Sequence, residues 1–480
     1  MNERKLPYYI LLLPLFYVLH AYQTHALPWS TTEYLSIVWR YLLPAVVLLL
    51  ICYALRRQWP AAGLMAFVLL AANFFLPLVQ LHLSYKFFLP LCAILVLTLL
   101  IITWRNKQPP GKITRYLNLL FIVLLVADIA QIVYREQSDK GKVVPLGKEY
   151  FFPNTSVAPT PDIYFILLDE YAGPSSLRKD FGFDNSGMDS FLTNHGFFVA
   201  HDARSNYNFT SFSLASALNL RYLNIPENGK VNASHYHQAE QLIRNNQVTR
   251  ALNKRGYEFI NLSIFDIAEQ PVDPKPSFAP AAKEIIYRST LIGKADYQIG
   301  WNFRDTNALR QSQHKDEENL FNGIGERVQK TKAISAAASG KPRFVYTHLL
   351  VPHPPFFMNH LQRRPAAETD SLGKRSIEGY RGNVAYANEL IRDMVQTIQL
   401  NTNGNAVIIL TGDHGFRWRE YENLPHHFSI LHAVYWPGKD YSAWQQNASL
   451  VNLFRKVLGR IYGVKLQDME GKEYFLTDEK

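Results

Sequence analysis

Asp413 and His414 stand side by side at the end of "AVIILTGDHGFRW", Ala406 to Trp418. A carboxylate beside an imidazole offers a hard oxygen and a nitrogen, a pair suited to zinc or manganese. Asp169 and Glu170 close a second apolar run, "DIYFILLDEYAG", Asp162 to Gly173. In an extended chain neighbouring side chains point to opposite faces, which makes Asp169 the expected ligand and Glu170 a bystander. His353 follows a third run in "RFVYTHLLVPHPPF", flanked by prolines that restrict its backbone. His426 and His427 precede a fourth run, "SILHAVYWPG", and the residues barely discriminate between the two. Thr210 and Ser211 lie ahead of "SLASAL" in "SNYNFTSFSLASALN", Ser205 to Asn219. A hydroxyl at a helix N-terminus meets unpaired N–H groups and a positive dipole end, a favourable place for an anion. The plainer role for Thr210 is a helix cap. His348, His360 and His432 read as structural.

The chemistry that needs this set is transfer of a charged phosphoryl group. A metal lowers the pKa of a bound hydroxyl and screens the phosphate oxygens. The hydroxyl attacks in line and becomes a covalent intermediate. Histidines hold the other oxygens and give a proton to the leaving alcohol.

Positioning these groups requires strands that end at one edge. The run Ala406–Leu410, bounded by Gly404 and Gly412, reads as a core strand. Similar strands are expected from Asp162, over Tyr257 to Leu262, from Phe344 and in "SILHAVYWPG". Helical spacing of Tyr380, Val384, Leu390, Ile391 and Met394 precedes the Ala406 strand. Strands alternating with helices imply an α/β domain with a largely parallel sheet covered on both faces. In such sheets ligands sit at the carboxyl ends of the strands.

The 480 residues leave room for two or three domains, and the first quarter is intensely apolar. Five stretches approach the roughly 20 residues that cross a bilayer. They run from Leu6 to Tyr22, Tyr34 to Ala54, Ala61 to Leu81, Phe87 to Trp104 and Tyr116 to Val133. Arg4, Lys5, Arg56, Arg57, Arg105, Lys107, Lys112 and Arg115 flank alternate ends, which puts the N-terminus in the cytoplasm. An odd number of spans then places the later residues outside. The expected organisation is a five-span region over 1–135, a proline-bearing linker over 136–160 and an exported domain over 161–480. Both cysteines, Cys52 and Cys92, lie in the apolar quarter, so the exported domain has neither a disulfide nor a cysteine metal site. The net charge of +10 suits work near anionic lipid. No arginine-rich stripe or nucleic-acid motif occurs, so nucleic acid is not an expected partner.

"DIYFILLDEYA", "SNYNFTSFSLASALN", "THLLVPHPPF" and "IILTGDHG" occur in the order seen in the alkaline phosphatase/sulfatase superfamily. With the five spans before it, the chain resembles the membrane-bound phosphoethanolamine transferases and lipoteichoic-acid synthases. The resemblance implies an alkaline-phosphatase-like domain and Asp169, Thr210, Asp413 and His414 as ligands of a divalent metal, zinc or manganese. It implies Thr210 as the nucleophile, with His353 in the motif that holds substrate; His427 is the second candidate for substrate binding. Asp169 stands where those transferases carry Glu, their disulfides are absent, and "TSFSLAS" lacks the Pro and Arg of the formylglycine sulfatases. The expected function is therefore a membrane-anchored transferase that moves a phosphate-linked head group from phospholipid to an envelope glycan or lipid. A hydrolase of the same fold and a non-catalytic membrane protein are the alternatives. The expected location is the inner, cytoplasmic membrane in multi-pass form, with the catalytic domain on the periplasmic side.

Overall fold

The computed structural model describes residues 6–25, 31–79, 84–106, 110–139, 152, 160–272, 282–300, 306–359, 361–365, 376–419 and 422–478. Most of the expected linker, and His360, lie outside the described residues. The chain forms two compact units. One holds Met1–Pro145 with Ser277–Leu309; the other holds Leu146–Pro276 with Arg310–Lys480.

The first unit is helical: α1 (Tyr9–His25), α2 (Thr31–Arg56), α3 (Trp59–Phe75), α4 (Tyr85–Arg105) and α5 (Gly111–Asp139). Four of its helical stretches are long and apolar enough to cross a membrane: Tyr34–Arg56, Trp59–Leu78, Tyr85–Arg105 and Gly111–Tyr134. The first apolar helix is shorter, Tyr9–Gln23. The 17 residues of α1 rise only about 25 Å, against roughly 30 Å of hydrocarbon. Even so, α1 is the centre of the bundle. Tyr9, Ile10 and Leu13 are fully buried and pack with Ala62, Met65 and Leu70 of α3 and with Leu117 and Phe121 of α5. The outer faces are the reverse. Leu43, Val47, Leu50 and Ile51 of α2, and Leu91, Ile94, Leu97 and Ile101 of α4, are more than half exposed. So large an apolar surface is one that a lipid bilayer covers. Pro14, Pro44 and Pro90 fall inside the helices, as membrane helices tolerate. Two later helices belong to this unit, α11 (Ala282–Arg288) and α12 (Leu291–Ile299). Buried Ile286 packs with Val18, Ile37 and Val38, and the Ile292 N–H donates to Asn73 Oδ1 at 3.1 Å.

In the second unit the strands are β1 (Asp162–Leu168), β2 (Phe198–Val199), β3 (Lys230–Val231), β4 (Glu258–Leu262), β5 (Arg343–Leu349), β6 (Met358–Asn359), β7 (Gln362–Arg363), β8 (Ala406–Gly412), β9 (His432–Tyr435) and β10 (Thr477–Asp478). Its helices are α6 (Pro174–Lys179), α7 (Ser186–Asn194), α8 (Thr210–Leu218), α9 (Ala233–Arg244), α10 (Gln247–Lys254), α13 (Thr306–Ala336), α14 (Ile377–Asn401) and α15 (Leu453–Tyr462). The main sheet has the order β2-β9-β8-β1-β5-β4. β4, β5, β1 and β8 are parallel, and β9 and β2 continue it antiparallel.

The parallel strands are buried on both faces, as their continuous apolar runs require. On one face Tyr164, Ile166, Val345 and Ile408 pack with Val384, Ile391 and Met394 of α14 and Ile324 and Val328 of α13. On the other face Phe165 and Phe344 pack edge-on to Phe454 of α15, with ring centroids 5.0 and 6.0 Å apart. Leu168 pairs with both Leu349 and Gly412, so β1, β5 and β8 end at one level. The antiparallel run of β9 is what sequence alternation does not show. His432 lies beside Thr411, so the residues just before β9 return to the carboxyl end of β8.

Candidate active site

Asp169 follows β1 and Asp413 follows β8, its neighbour in the sheet. Both carboxylates are fully buried. His414 Nδ1 lies 2.9 Å from the Gly415 carbonyl, which can only accept, so Nδ1 carries the proton and Nε2 keeps its lone pair. His414 Nε2 is 3.3 Å from Asp413 Oδ2, 4.0 Å from Asp169 Oδ1 and 3.2 Å from Thr210 Oγ1. Thr210 is the first residue of α8 and Phe209 is the N-cap. The Thr210 hydroxyl faces His414, and the cap position belongs to Phe209.

The donors Asp169, Asp413 and His414 lie within 4.8 Å of one another. Ligands about 2.0–2.2 Å from one ion stand roughly 3–4 Å apart, so one divalent cation fits this spacing. The hydrogen bonding agrees. Asp169 Oδ1 and Oδ2, Asp413 Oδ2 and His348 Nε2 are buried without a hydrogen-bond partner. Two unneutralised buried carboxylates are costly, and a cation between them removes the cost. Burial, then the Asp413 carboxylate, pushes the Asp169 carboxyl up to about 7.

His348, read from sequence as structural, has Nε2 only 3.4 Å from Asp169 Oδ2. Burial pushes its pKa down to about 3, so it is neutral and available as donor or ligand. The signal for it was its place on β5, one register step before the end of the strand beside β1. His353 is half-buried, and its N–H donates to the Asp169 carbonyl at 3.1 Å. The Asn383 amide holds its carbonyl at 3.3 Å, and its Nδ1 bonds the Pro354 carbonyl at 2.6 Å. Nε2 makes no hydrogen bond to any described residue.

The 426–427 pair separates in the structure. His426 packs edge-on against Phe181, with centroids 5.3 Å apart. His427 Nε2 lies 2.9 Å from the Trp418 carbonyl, and its buried Nδ1 has no partner. Burial pushes the His427 pKa down to about 4, so the ring is neutral with an accepting Nδ1.

Glu170 is not a bystander. It has φ 64°, in the left-handed region, so it does not alternate as an extended residue would. Its N–H donates to Asp413 Oδ1 at 3.0 Å, and its carbonyl accepts from Tyr380 at 2.7 Å. Its side chain is fully buried and paired with Arg417 Nε at 2.8 Å.

Residues 236–462 match the family model described as Sulfatase. That stretch is sulfatase-like, and it spans a little under half of the chain. The matched stretch includes His353, Asp413, His414 and His427 and begins after Thr210, so Asp169 and Thr210 join the site through geometry. Three solved structures resemble this chain. The C-terminal periplasmic domain of EcEptC from Escherichia coli in complex with Zn is 13% identical, with TM-score 0.39, covering 65% of this chain and 85% of that one. The corresponding domain of phosphoethanolamine transferase EptC from Campylobacter jejuni is 12% identical, with TM-score 0.35, covering 65% and 92%. Phosphonate monoester hydrolase of Agrobacterium radiobacter is 14% identical, with TM-score 0.38, covering 65% and 76%. No curated protein matches the chain significantly. At these scores the assignment rests on the family match and on the geometry of the site.

Proposed function

We propose that the protein is a membrane-anchored, metal-dependent transferase that takes a phosphate-linked head group from phospholipid, holds it on Thr210 and passes it to an envelope glycan or lipid. The observation that carries this reading is the Thr210 hydroxyl 3.2 Å from His414 Nε2, whose neighbours Asp169 and Asp413 are buried with three oxygens that have no hydrogen-bond partner. Asp169, Asp413, His414 and Thr210 would hold a zinc or manganese ion, which when bound lowers a hydroxyl pKa and screens phosphate oxygens.

Thr210 Oγ1 forms the new bond to phosphorus as the bond from phosphorus to the lipid glycerol oxygen breaks. The Thr210 proton leaves to solvent, and His353, protonated on both nitrogens with Nδ1–H on the Pro354 carbonyl, gives its Nε2 proton to the departing glycerol oxygen. The acceptor hydroxyl then gives its proton to His353 Nε2 as its oxygen bonds phosphorus and the bond to Thr210 Oγ1 breaks, and Thr210 takes a proton back from solvent. Glu170 and Tyr380 keep Asp413 and Asp169 in register throughout. His427 Nδ1, buried and aprotic, is assigned to a donor group on the substrate.

The anchor favours a lipid donor because tethering raises the effective concentration of site and lipid together. In this reading α1 counts as a fifth span, since it is the core of the bundle despite its length. The N-terminus is then cytoplasmic, and the catalytic domain lies on the periplasmic side of the inner membrane.

Head-group release from labelled phosphatidylethanolamine and phosphatidylglycerol by the full-length protein tests the proposal. Release of one head group is expected with zinc or manganese and is lost in EDTA. Thr210→Ala should reduce it by on the order of 10³-fold or more while leaving the fold intact. Release that persists in Thr210→Ala would rule out the threonine adduct. Cleavage of soluble phosphodiesters or sulfate esters, with both lipids untouched, would favour a hydrolase of the same fold.

A further inference from the structure

Arg417 sits three residues after His414, on the same loop. Its Nε donates to Glu170 Oε1 at 2.8 Å, and its side chain is only 16% exposed. Its guanidinium carbon lies 5.2 Å from the ring centre of Phe209, the residue that precedes Thr210. Nη1 and Nη2 make no hydrogen bond to any described residue. Two other buried arginines of this unit behave differently. Arg343 places Nε and Nη2 on Asp162 and Nη1 on the Ile334 and Ala337 carbonyls. Arg455 places Nε and Nη2 on the Gln467 carbonyl and Nη1 on that of Leu220. An arginine that serves only as a strut satisfies its whole fork, usually with two parallel bonds to a carboxylate. Arg417 spends one nitrogen on Glu170 and keeps two donors beside Phe209, the residue that precedes the nucleophile. Burial works against its charge, but the adjacent Glu170 carboxylate more than offsets this and raises its pKa, so it stays cationic.

We propose that Arg417 is a specificity-determining residue, oriented by Glu170 so that Nη1 and Nη2 receive a non-bridging oxygen of the phosphodiester head group attacked by Thr210. This rests on the reading of Thr210 as the nucleophile. A planar fork matches a phosphate with two parallel bonds, and a lysine cannot reproduce that geometry.

Zinc-loaded, full-length Thr210→Ala protein, which cannot turn over, is titrated calorimetrically with inorganic phosphate and with glycerophosphoethanolamine. Adding Arg417→Ala should weaken both by about 10- to 100-fold, the worth of a charge-assisted contact, while zinc affinity is unchanged. Unchanged affinity for both, with a lowered melting temperature, would make Arg417 a strut and overturn the proposal. Loss for inorganic phosphate alone would also overturn it, since the diester is the assigned ligand. Should Arg417→Ala fail to fold, Arg417→Lys and Arg417→Gln are compared. Tighter binding by the lysine variant supports the site, and equal binding sinks it. The titration needs no turnover: a protein that binds the diester through Arg417 yet releases no lipid head group defeats the transfer reading and leaves the anion site standing.

Discussion

At Asp169 a bound cation and a proton would compete. The Asp169 carboxyl is held up to about 7 by burial and by Asp413, whereas an unfolded Asp titrates near 4. Between those values the metal-free folded chain binds more protons than the unfolded chain, so its stability falls as pH rises across the window. A cation needs the carboxylate ionised, so metal affinity should run the other way and fall as pH drops below about 7. Calorimetry in buffers of different ionisation enthalpy should show more protons released on zinc uptake at about pH 6 than at about pH 8. A zinc affinity that stays flat across that range would show that Asp169 is not a ligand. The residue types alone pointed to Asp169, Asp413 and His414, because acids at strand ends are chemically conspicuous, whereas Thr210 was singled out from Ser211 by the resemblance. They did not point to Arg417 or to the role of Glu170. A left-handed turn at Glu170 rotates its side chain to a loop more than 240 residues away, and no local pattern records that.

At the scale of elements, the site depends on loops that approach backbone to backbone. The Gly415 N–H donates to the His427 carbonyl at 2.8 Å. A Cβ at Gly415 would lie 1.9 Å from the His426 carbonyl oxygen and 2.7 Å from that of Ser429. Gly415→Ala must therefore push the segment after β8 away from the segment before β9, taking His414 with it. The expected cost is about 1–3 kcal/mol of stability, as for overpacking, with roughly 10- to 100-fold weaker zinc binding, as for a lost supporting contact. A melt and a zinc titration check both, and wild-type zinc affinity in Gly415→Ala would contradict the arrangement. The strands β1, β5 and β8 were legible as continuous apolar runs, and α14 as an amphipathic repeat. The direction of β9 was not, since a four-residue strand reads the same both ways. That direction is what brings the His427 backbone beside Gly415 and lets His427 be told apart from His426.

Across the whole molecule, the apolar quarter announced a membrane region by composition alone. Four of its helices meet the length and hydropathy for crossing, and α1 does not. The grouping of Ser277–Leu309 with those helices was hidden, because α11 and α12 are short and of mixed composition. Only long-range contacts reveal it, such as Tyr17 Oη donating to the Ile286 carbonyl at 3.3 Å. The most direct test of the account is intact-protein mass spectrometry on the membrane-embedded chain, quenched soon after it meets the lipid donor that it cleaves. A metal-dependent phosphodiester adduct is expected that maps to Thr210 and is absent after EDTA treatment and in Thr210→Ala. Head-group turnover with the adduct on another residue, or with none that accumulates or can be trapped, would contradict it.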